Sequence, residues 1–529
     1  MNESSLFIKE AQGHQGRWTK LVEFTHSSTK AALIMLLAAV VSVVVANTVF
    51  YEQFEHIIHM QIGFMIGGAA YSMSLVHVVN DILMAIFFLL VGLEIKNEMT
   101  VGELTNIRQA LLPIVAAFGG VVAPVVIYSI FNAGNPETAG GWGVPTATDI
   151  AFALGIMSLL GNRIPNGVRV FLSTLAVADD IIAILVIAVF YGHSPSFLWL
   201  LAAAVVLVVL VALNHVHVYA LAPYLSLGVV LWFCVYMSGV HSAIAGVLLA
   251  FTIPSGSRVN LKSFTAWSEK KLAQAQQAFR PDEPIIGQKE YIRNVDNLSS
   301  VARMVIPPAT RLEHRLYPWV YLGILPLFAL TNADVSLLGV EPAQLLTNPV
   351  VYGVALGLLL GKPIGIMAVS FIIVKVLKLA KLPENVTWMH MLGASILGGV
   401  GFTMAIFVAN LAFTDSEAVT MAKAAILMAS TLAGVIGFCF LMAAARKDAA
   451  RGVAYVAVAD PDNANIQYAG KEIHIMHEDV VSMLDDESWM EYKELRQEFE
   501  RDPYPARPKE LVVRLKRERE DEFDEDDGR

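Results

Sequence analysis

Apolar stretches of about 20 residues recur along this 529-residue chain and constrain its fold more than any other feature. A bilayer core of roughly 30 Å is crossed by about 20 residues of helix. The sequence therefore predicts an all-α polytopic membrane protein of about 12 transmembrane helices. The predicted spans lie near residues 30–50, 75–96, 109–132, 143–161, 167–191, 195–214, 217–237, 239–253, 316–338, 347–377, 388–413 and 420–445.

Charge divides the chain into a membrane domain and polar additions. With 56% hydrophobic and 16% charged residues, the composition is too apolar for ordinary soluble domains. We expect an N-terminal segment at 1–29, a membrane domain at 30–445 with a polar insertion at 255–310, and an acidic C-terminal tail at 446–529. The net charge of the chain is −10, and the tail supplies part of it. A negative net charge argues against binding to nucleic acid. It is either a small regulatory domain or largely disordered.

The loops indicate how the chain is oriented, because short cytoplasmic loops are enriched in Lys and Arg. Loops after predicted spans 2, 4, 8 and 10 are basic, whereas those after spans 1, 3, 5, 7 and 9 contain no Lys or Arg. The pattern predicts that both termini, the insertion and the tail are cytoplasmic.

Charged residues at membrane depth are the candidates for function, because each costs about 2.5 to 3.5 kcal/mol at a helix centre. The sequence places Asp149 in span 4, Asp179 and Asp180 midway along span 5, and Lys362 midway along span 10. An inert ion pair could use Lys362 and one carboxylate. Such a pair would leave the other two carboxylates facing a polar cavity, and a site that binds cations and protons requires such carboxylates.

Asp179 and Asp180 cannot face one pocket equally, because adjacent helix positions point about 100° apart. One carboxylate would contact Lys362 and the other would face the ion, and geometry alone does not decide between them. Protons and Na⁺ competing for one carboxylate is the basis of antiport. Carboxylates and backbone carbonyls suit a hard cation, and the sequence lacks the Cys/His clusters of zinc or copper sites, so we expect no cofactor.

Two predicted spans contain residues that disfavour regular helix. Span 4 carries glycines and a proline in the stretch 140–149, which includes Thr148 and Asp149, and span 11 carries glycines at 398–401 followed by Thr403. Gly401 and Thr403 lie near mid-membrane. Paired interruptions in the two halves of a transporter point to crossed, broken helices around a transport site. Spans 3–5 and 10–12 would then be inverted repeats.

Several motifs together resemble the NhaA-type bacterial Na⁺/H⁺ antiporters, a family that is an example of transporters with broken helices. The resemblance covers about residues 30–445 apart from the insertion, and its motifs are Thr146–Gly155, Asp179–Asp180, Ser238–Gly246, Leu325–Ala333, Gly361–Gly365 and Gly401–Phe407. It implies a secondary active transporter of the bacterial inner membrane, not an enzyme. The exchange would be electrogenic, with two protons entering for each Na⁺ or Li⁺ exported.

The resemblance also implies roles for the charged residues. Asp179 and Asp180 would carry the ion and protons and form the Na⁺ transport site, Lys362 would pair with Asp179, and Asp149 would compensate the ends of the broken helices. Partners would be Na⁺, Li⁺, H⁺ and the lipid bilayer, with a homodimer as a possible assembly.

Positions that match the pH-sensing region of the family are Glu94, Glu98, Glu313 and His314. A solvated helix end is the alternative interpretation of these four residues. The segment also departs from the family pattern at Asn97, Arg315 and Tyr317, which leaves the pH profile open.

Two other functions remain as alternatives. An intramembrane aspartyl protease also uses two buried carboxylates, but residues before Asp149 and Asp179 do not form that class's motifs. A passive cation channel would need rings of carboxylates or carbonyls from a symmetric assembly.

Overall fold

The computed structural model describes residues 28–66, 69–100, 102, 107–192, 195–257, 259–336, 347–451, 453–457, 465–468, 471–474, 490, 493 and 510–514. Most of the predicted N-terminal segment and the acidic end of the tail lie outside these residues. In chain order the helices and strands are α1 Ser28–Ala46, α2 Tyr51–Ile58, β1 Gln61–Ile66, β2 Ala69–Ser74, α3 Leu75–Thr100, α4 Ile107–Asn132, α5 Pro136–Ala139, α6 Ile150–Ser158, α7 Asn166–Phe190, α8 Phe197–His215, α9 Leu221–Met237, α10 Ala243–Thr252, α11 Leu261–Ala278, α12 Lys289–Val305, α13 Pro308–Trp319, α14 Leu325–Asn332, α15 Pro349–Val376, α16 Trp388–Leu397, α17 Phe402–Ala412, α18 Ser416–Ala450, β3 Val453–Ala457, β4 Asn465–Tyr468, β5 Lys471–His474 and β6 Glu510–Arg514.

The described residues form a largely helical, polytopic membrane protein. Seven helices are long and apolar enough to span a bilayer, and the bent pair α16 and α17 brings the number to eight. Two shorter apolar helices, α9 and α10, occupy the predicted spans 217–237 and 239–253. Apolar side chains cover these helices on all sides, as expected in lipid. Helix α8, for example, exposes Leu201, Val205 and Val208.

The first of two compact units contains Val49–Thr105 and Ile184–Thr331. Its core is formed by α3, α8, α9, α10 and α13 through apolar side chains that include Leu89, Leu93, Leu210, Leu231, Leu249 and Leu312. Helices α11 and α12 lie within residues 255–310 and pack against each other. In the segment between them, Gln288 donates to the carbonyl oxygens of Arg280 and Glu283 at 2.7 Å each.

The second unit contains Ser27–Thr48, Asn106–Ala183 and Asn332–Arg529. Its core joins α4, α6, α7, α15, α16 and α18 through Ala116, Met157, Phe171, Ile366, Leu397 and Leu441. Gly119 of α4 faces Gly365 of α15, and a side chain at Gly119 would meet the Gly365 carbonyl oxygen. Glycine at both positions therefore allows the two backbones to approach closely.

Short strands complete the structure. Strands β1 and β2 form an antiparallel hairpin in which Ile62 pairs with Met73. The alternation of Ile62, Phe64 and Ile66 in the sequence is typical of a strand. Strand β3 pairs with β6 and β4 pairs with β5, both antiparallel, so part of the C-terminal tail has regular structure.

Candidate ion-binding site

Two interruptions of the helices lie against each other in the second unit. The chain from Gly140 to Thr146 is a 3₁₀-helix, residues 147–149 are extended, and α6 begins at Ile150. Helices α16 and α17 are separated by residues 398–401 and bend by 47°. The Asp149 N–H donates to the Val400 carbonyl oxygen at 2.7 Å, and the Thr148 hydroxyl lies 3.0 Å from the Gly398 carbonyl oxygen. The two interruptions thus satisfy part of each other's backbone, which is needed where water is excluded.

Asp149 contacts the N-terminal ends of two helices at once. Its Oδ1 accepts the Phe152 N–H at 3.0 Å and so caps α6. Its Oδ2 accepts the Thr403 N–H at 3.1 Å and the Thr403 hydroxyl at 2.5 Å, at the start of α17. Asp149 is only 3% exposed. A buried carboxylate is stabilised in this position because helix N-termini carry partial positive charge and unpaired N–H groups.

Ser430 of α18 binds the rest of the α17 N-terminus. Its hydroxyl oxygen accepts the N–H groups of Gly401 at 3.2 Å and Phe402 at 3.0 Å. Together Ser430 and Asp149 accept three consecutive N–H groups at the start of α17. The sequence analysis did not identify Ser430, because a serine within an apolar helix gives no sign of which backbone it contacts.

Lys362, Asp179 and Thr148 form a buried cluster beside the interruptions. The Lys362 ammonium donates to Asp179 Oδ2 and lies 2.5 Å from the Thr148 hydroxyl oxygen. The Thr148 hydroxyl also lies 2.6 Å from Asp179 Oδ2, so it donates either to that carboxylate or to Gly398. Lys362 is fully buried. The geometry therefore pairs Lys362 with Asp179.

The two carboxylate oxygens of Asp179 differ in their hydrogen bonds. Asp179 Oδ1 is buried and has no hydrogen-bond partner among the described residues. A buried acceptor without a partner is costly, by about 1 to 3 kcal/mol. A proton or a cation at this atom would remove that cost. Asp180 follows on α7 and is also buried, with 3% of its surface exposed.

The oxygens around Asp179 are of mixed type. They come from carboxylate, hydroxyl and carbonyl groups, which suit a hard cation. Among the described residues, no three His, Cys, Asp or Glu side chains converge as a metal site of the usual kind. The structure therefore brings together Thr148, Asp149, Asp179, Lys362 and Thr403, with Gly401 as the N-cap residue of α17.

Comparison with known proteins places the chain in a family. The family model described as Na⁺/H⁺ antiporter 1 matches residues 22–441. The chain belongs to this family. It is 42% identical over 431 residues to the Na⁺/H⁺ antiporter NhaA of Wolinella succinogenes, covering 82% of this chain and 94% of the relative. It is 43% identical over 426 residues to NhaA of Helicobacter pylori strain HPAG1, covering 80% and 95%, and 40% identical over 444 residues to NhaA 1 of Saccharophagus degradans, covering 82% and 95%.

The residues that resemble the antiporter family's pH-sensing positions lie in the first unit. Glu94 and Glu98 belong to α3, and Glu313 and His314 belong to α13. Glu94 lies close enough to Glu98 and Glu313 for mutual repulsion, and the Tyr321 hydroxyl is 3.4 Å from Glu94 Oε1. Burial raises the pKa of the Glu313 carboxyl above its ordinary value; the charge on His314 opposes the rise and that on Glu98 adds to it. These four residues thus form a charged cluster with a partly buried carboxylate.

Proposed function

We propose that this chain is an electrogenic Na⁺/H⁺ antiporter that exports Na⁺, or Li⁺, in exchange for protons and so serves pH and sodium homeostasis. The observation that carries the proposal is a cluster of buried carboxylates at two interrupted helices, in a chain whose relatives are named Na⁺/H⁺ antiporters. The protease and channel alternatives gain no support from the family comparison.

In the proposed mechanism, Asp179 and Asp180 bind Na⁺ or protons in turn. Asp179 Oδ1 offers an unoccupied acceptor, and Lys362 neutralises Oδ2 when no Na⁺ is present. Na⁺ arriving at this carboxylate competes with the ammonium and with protons for the same negative charge. Na⁺ and protons therefore exclude each other, and the protein alternates between the Na⁺-bound and the protonated state.

Asp149 has a supporting role in this mechanism. It stays bound to the N–H groups of α6 and α17, where it compensates the partial charges of the helix ends. Movement of either helix end would lengthen one of its hydrogen bonds. Asp149 can thus couple the occupancy of the site to the positions of both half-helices.

The wider architecture is also part of the proposal. We infer twelve membrane-crossing segments, with the interrupted spans 4 and 11 crossing each other and spans 3–5 and 10–12 related as inverted repeats. The protein would lie in the bacterial inner membrane with both termini in the cytoplasm, use no cofactor, and be able to form a homodimer. An electrogenic cycle would be driven by voltage at about 2.3 kcal/mol per net charge per 100 mV.

Everted membrane vesicles test the proposal directly. Adding Na⁺ to vesicles acidified by respiration should drive protons out, with saturable dependence on Na⁺. Asp180→Asn should abolish this exchange. Lys362→Ala should reduce it, because Asp179 then loses the ammonium group that neutralises its charge, which changes its binding of protons. Glu417→Gln, an exposed carboxylate on α18, is the matched control and should leave exchange unchanged. Full exchange in Asp180→Asn would contradict the proposed site.

A further inference from the structure

Three side chains connect the C-terminal tail to the first half of an interrupted span. Asp448, near the end of α18, has Oδ2 3.2 Å from Nε2 of His390 on α16. The Tyr455 hydroxyl on β3 donates to the same Asp448 oxygen at 2.8 Å. His390 is fully buried, Tyr455 is 5% exposed and Asp448 is 7% exposed. Asp448 and Tyr455 both lie beyond residue 441, where the family match ends.

The histidine has a defined orientation in this network. His390 Nδ1 accepts the Thr387 N–H at 3.3 Å and lies 3.0 Å from the Thr387 hydroxyl, so the neutral ring carries its proton on Nε2. Nε2 lies at ion-pair distance from Asp448 Oδ2, without the geometry of a hydrogen bond. The tail therefore binds a side chain that also caps the N-terminus of α16. Buried polar contacts of this kind fix geometry, because breaking one partner leaves the other unpaired.

The same part of the tail reaches the other interrupted span. Strands β3 and β4 pack against the turn Gly161–Arg163, which follows the C-terminal end of α6. Residues beyond the family match thus contact α16 at its start and the turn that ends α6. These are the two half-helices whose opposite ends carry the interruptions, at Gly398 and Thr148 respectively.

The half-helices are short enough to transmit this restraint. Helix α6 has 9 residues and α16 has 10, so each is about 15 Å long at 1.5 Å per residue. The far end of α16 supplies the Gly398 carbonyl oxygen to Thr148, and Thr148 also lies against Asp179. A shift at the tail-bound ends would therefore move the oxygens around Asp179.

We propose that Asp448, Tyr455 and strand β3 form a C-terminal strap. The strap holds the C-terminal end of α6 and the N-terminal end of α16, and thereby positions the ion-binding oxygens at the opposite ends of these two helices, beside the interruptions. The inference rests on the proposed antiport function, and it adds residues outside the family match to the machinery of that site. Asp448, Tyr455 and His390 are positioning residues, since they act through the half-helices and do not touch the ion.

Kinetics of the full-length protein in everted vesicles test the strap. Asp448→Asn and Tyr455→Phe should each raise the apparent KM for Na⁺ about fivefold, the lower end of usual coupling between distant sites, with little change in the maximal rate per molecule. Asp448→Glu should restore much of the affinity. Tyr236→Phe removes the hydroxyl of a tyrosine that lies in the first unit and is 40% exposed, and it should leave KM unchanged.

The outcomes separate the two proposals. Tyr455→Phe removes a single oxygen atom and keeps the test informative if Asp448→Asn fails to reach the membrane. An unchanged KM in Tyr455→Phe, or an equal increase in Tyr236→Phe, would overturn the strap. Absence of Na⁺-dependent proton exchange in the unmodified chain would instead contradict the proposed function.

Discussion

Ser430 illustrates how much a single hydroxyl contributes to the arrangement of the interrupted helices. It accepts two of the three N–H groups bound at the start of α17, and Asp149 accepts the third. The sequence analysis predicted roles for Thr148, Asp149, Gly401 and Thr403 from charge and from interrupted helix patterns. Ser430 was not predicted, because its role depends on the backbone N–H groups of another helix that lie next to it in the fold.

Replacing Ser430 by alanine should lower both the stability of the protein and its apparent affinity for Na⁺. Two buried N–H groups would lose their acceptor, at a cost of about 1 to 3 kcal/mol each, and the α17 N-terminus would shift from Asp149. We expect a lower thermal unfolding midpoint in detergent and a higher apparent KM for Na⁺. The neighbouring Thr431→Val is the control, because that hydroxyl bonds its own helix at Leu427. Equal effects of the two substitutions would refute the positioning role of Ser430.

Glu313 should make the stability of the protein depend on pH. Burial raises the pKa of its carboxyl in the folded state, so above the ordinary value of 4.5 the folded state binds more protons than the unfolded state. Stability then falls as pH rises through the raised pKa. Glu313→Gln should flatten that part of the curve of unfolding midpoint against pH, whereas the exposed Glu290→Gln should not. A curve with the same slope in Glu313→Gln would contradict this assignment.

At the scale of helices, the interruptions could be predicted but their mutual contact could not. Glycines, a proline and polar residues in apolar spans indicated where regular helix ends. The hydrogen bonds between them join Thr403 to Asp149 across 254 residues of sequence and Lys362 to Thr148 across 214. Local pattern contains no information about such pairs. The π-helical turns at Val78–Leu83 and Gly357–Gly361 were also not predicted. These spans are apolar on nearly all faces, so an extra residue in one turn leaves no mark in the sequence pattern.

The contact between α4 and α15 yields a prediction for whole helices. Gly365 packs against the backbone of Gly119, and α15 also carries Lys362. Gly365→Val should push the helices apart, destabilise the protein by about 1 to 3 kcal/mol as overpacking does, and lower exchange by displacing Lys362. Gly323→Ala is the control because nothing lies within 4 Å of the added methyl group. Wild-type stability and exchange in Gly365→Val would show that this close approach is not needed.

For the molecule as a whole, the apolar stretches were sufficient to predict a polytopic helical membrane protein. The described residues contain seven helices that are long and apolar enough to span a bilayer, and a bent pair. Helices α11 and α12 lie within residues 255–310, whose role as an insertion stays a prediction. The count of twelve, the orientation of the termini and the inverted repeats stay predictions, since they depend on the bilayer as well as on the chain. The roles of Asp179, Asp180 and Lys362 likewise stay predictions until ion and proton binding are measured.

The central claim is that one buried site holds either Na⁺ or protons. Purified protein in weakly buffered detergent solution should release protons when Na⁺ is added near neutral pH, and a pH-sensitive dye should report their number per protein. Asp180→Asn should release fewer protons, whereas Glu417→Gln should match the unmodified chain. Binding of Na⁺ to the unmodified protein without any release of protons would contradict the account.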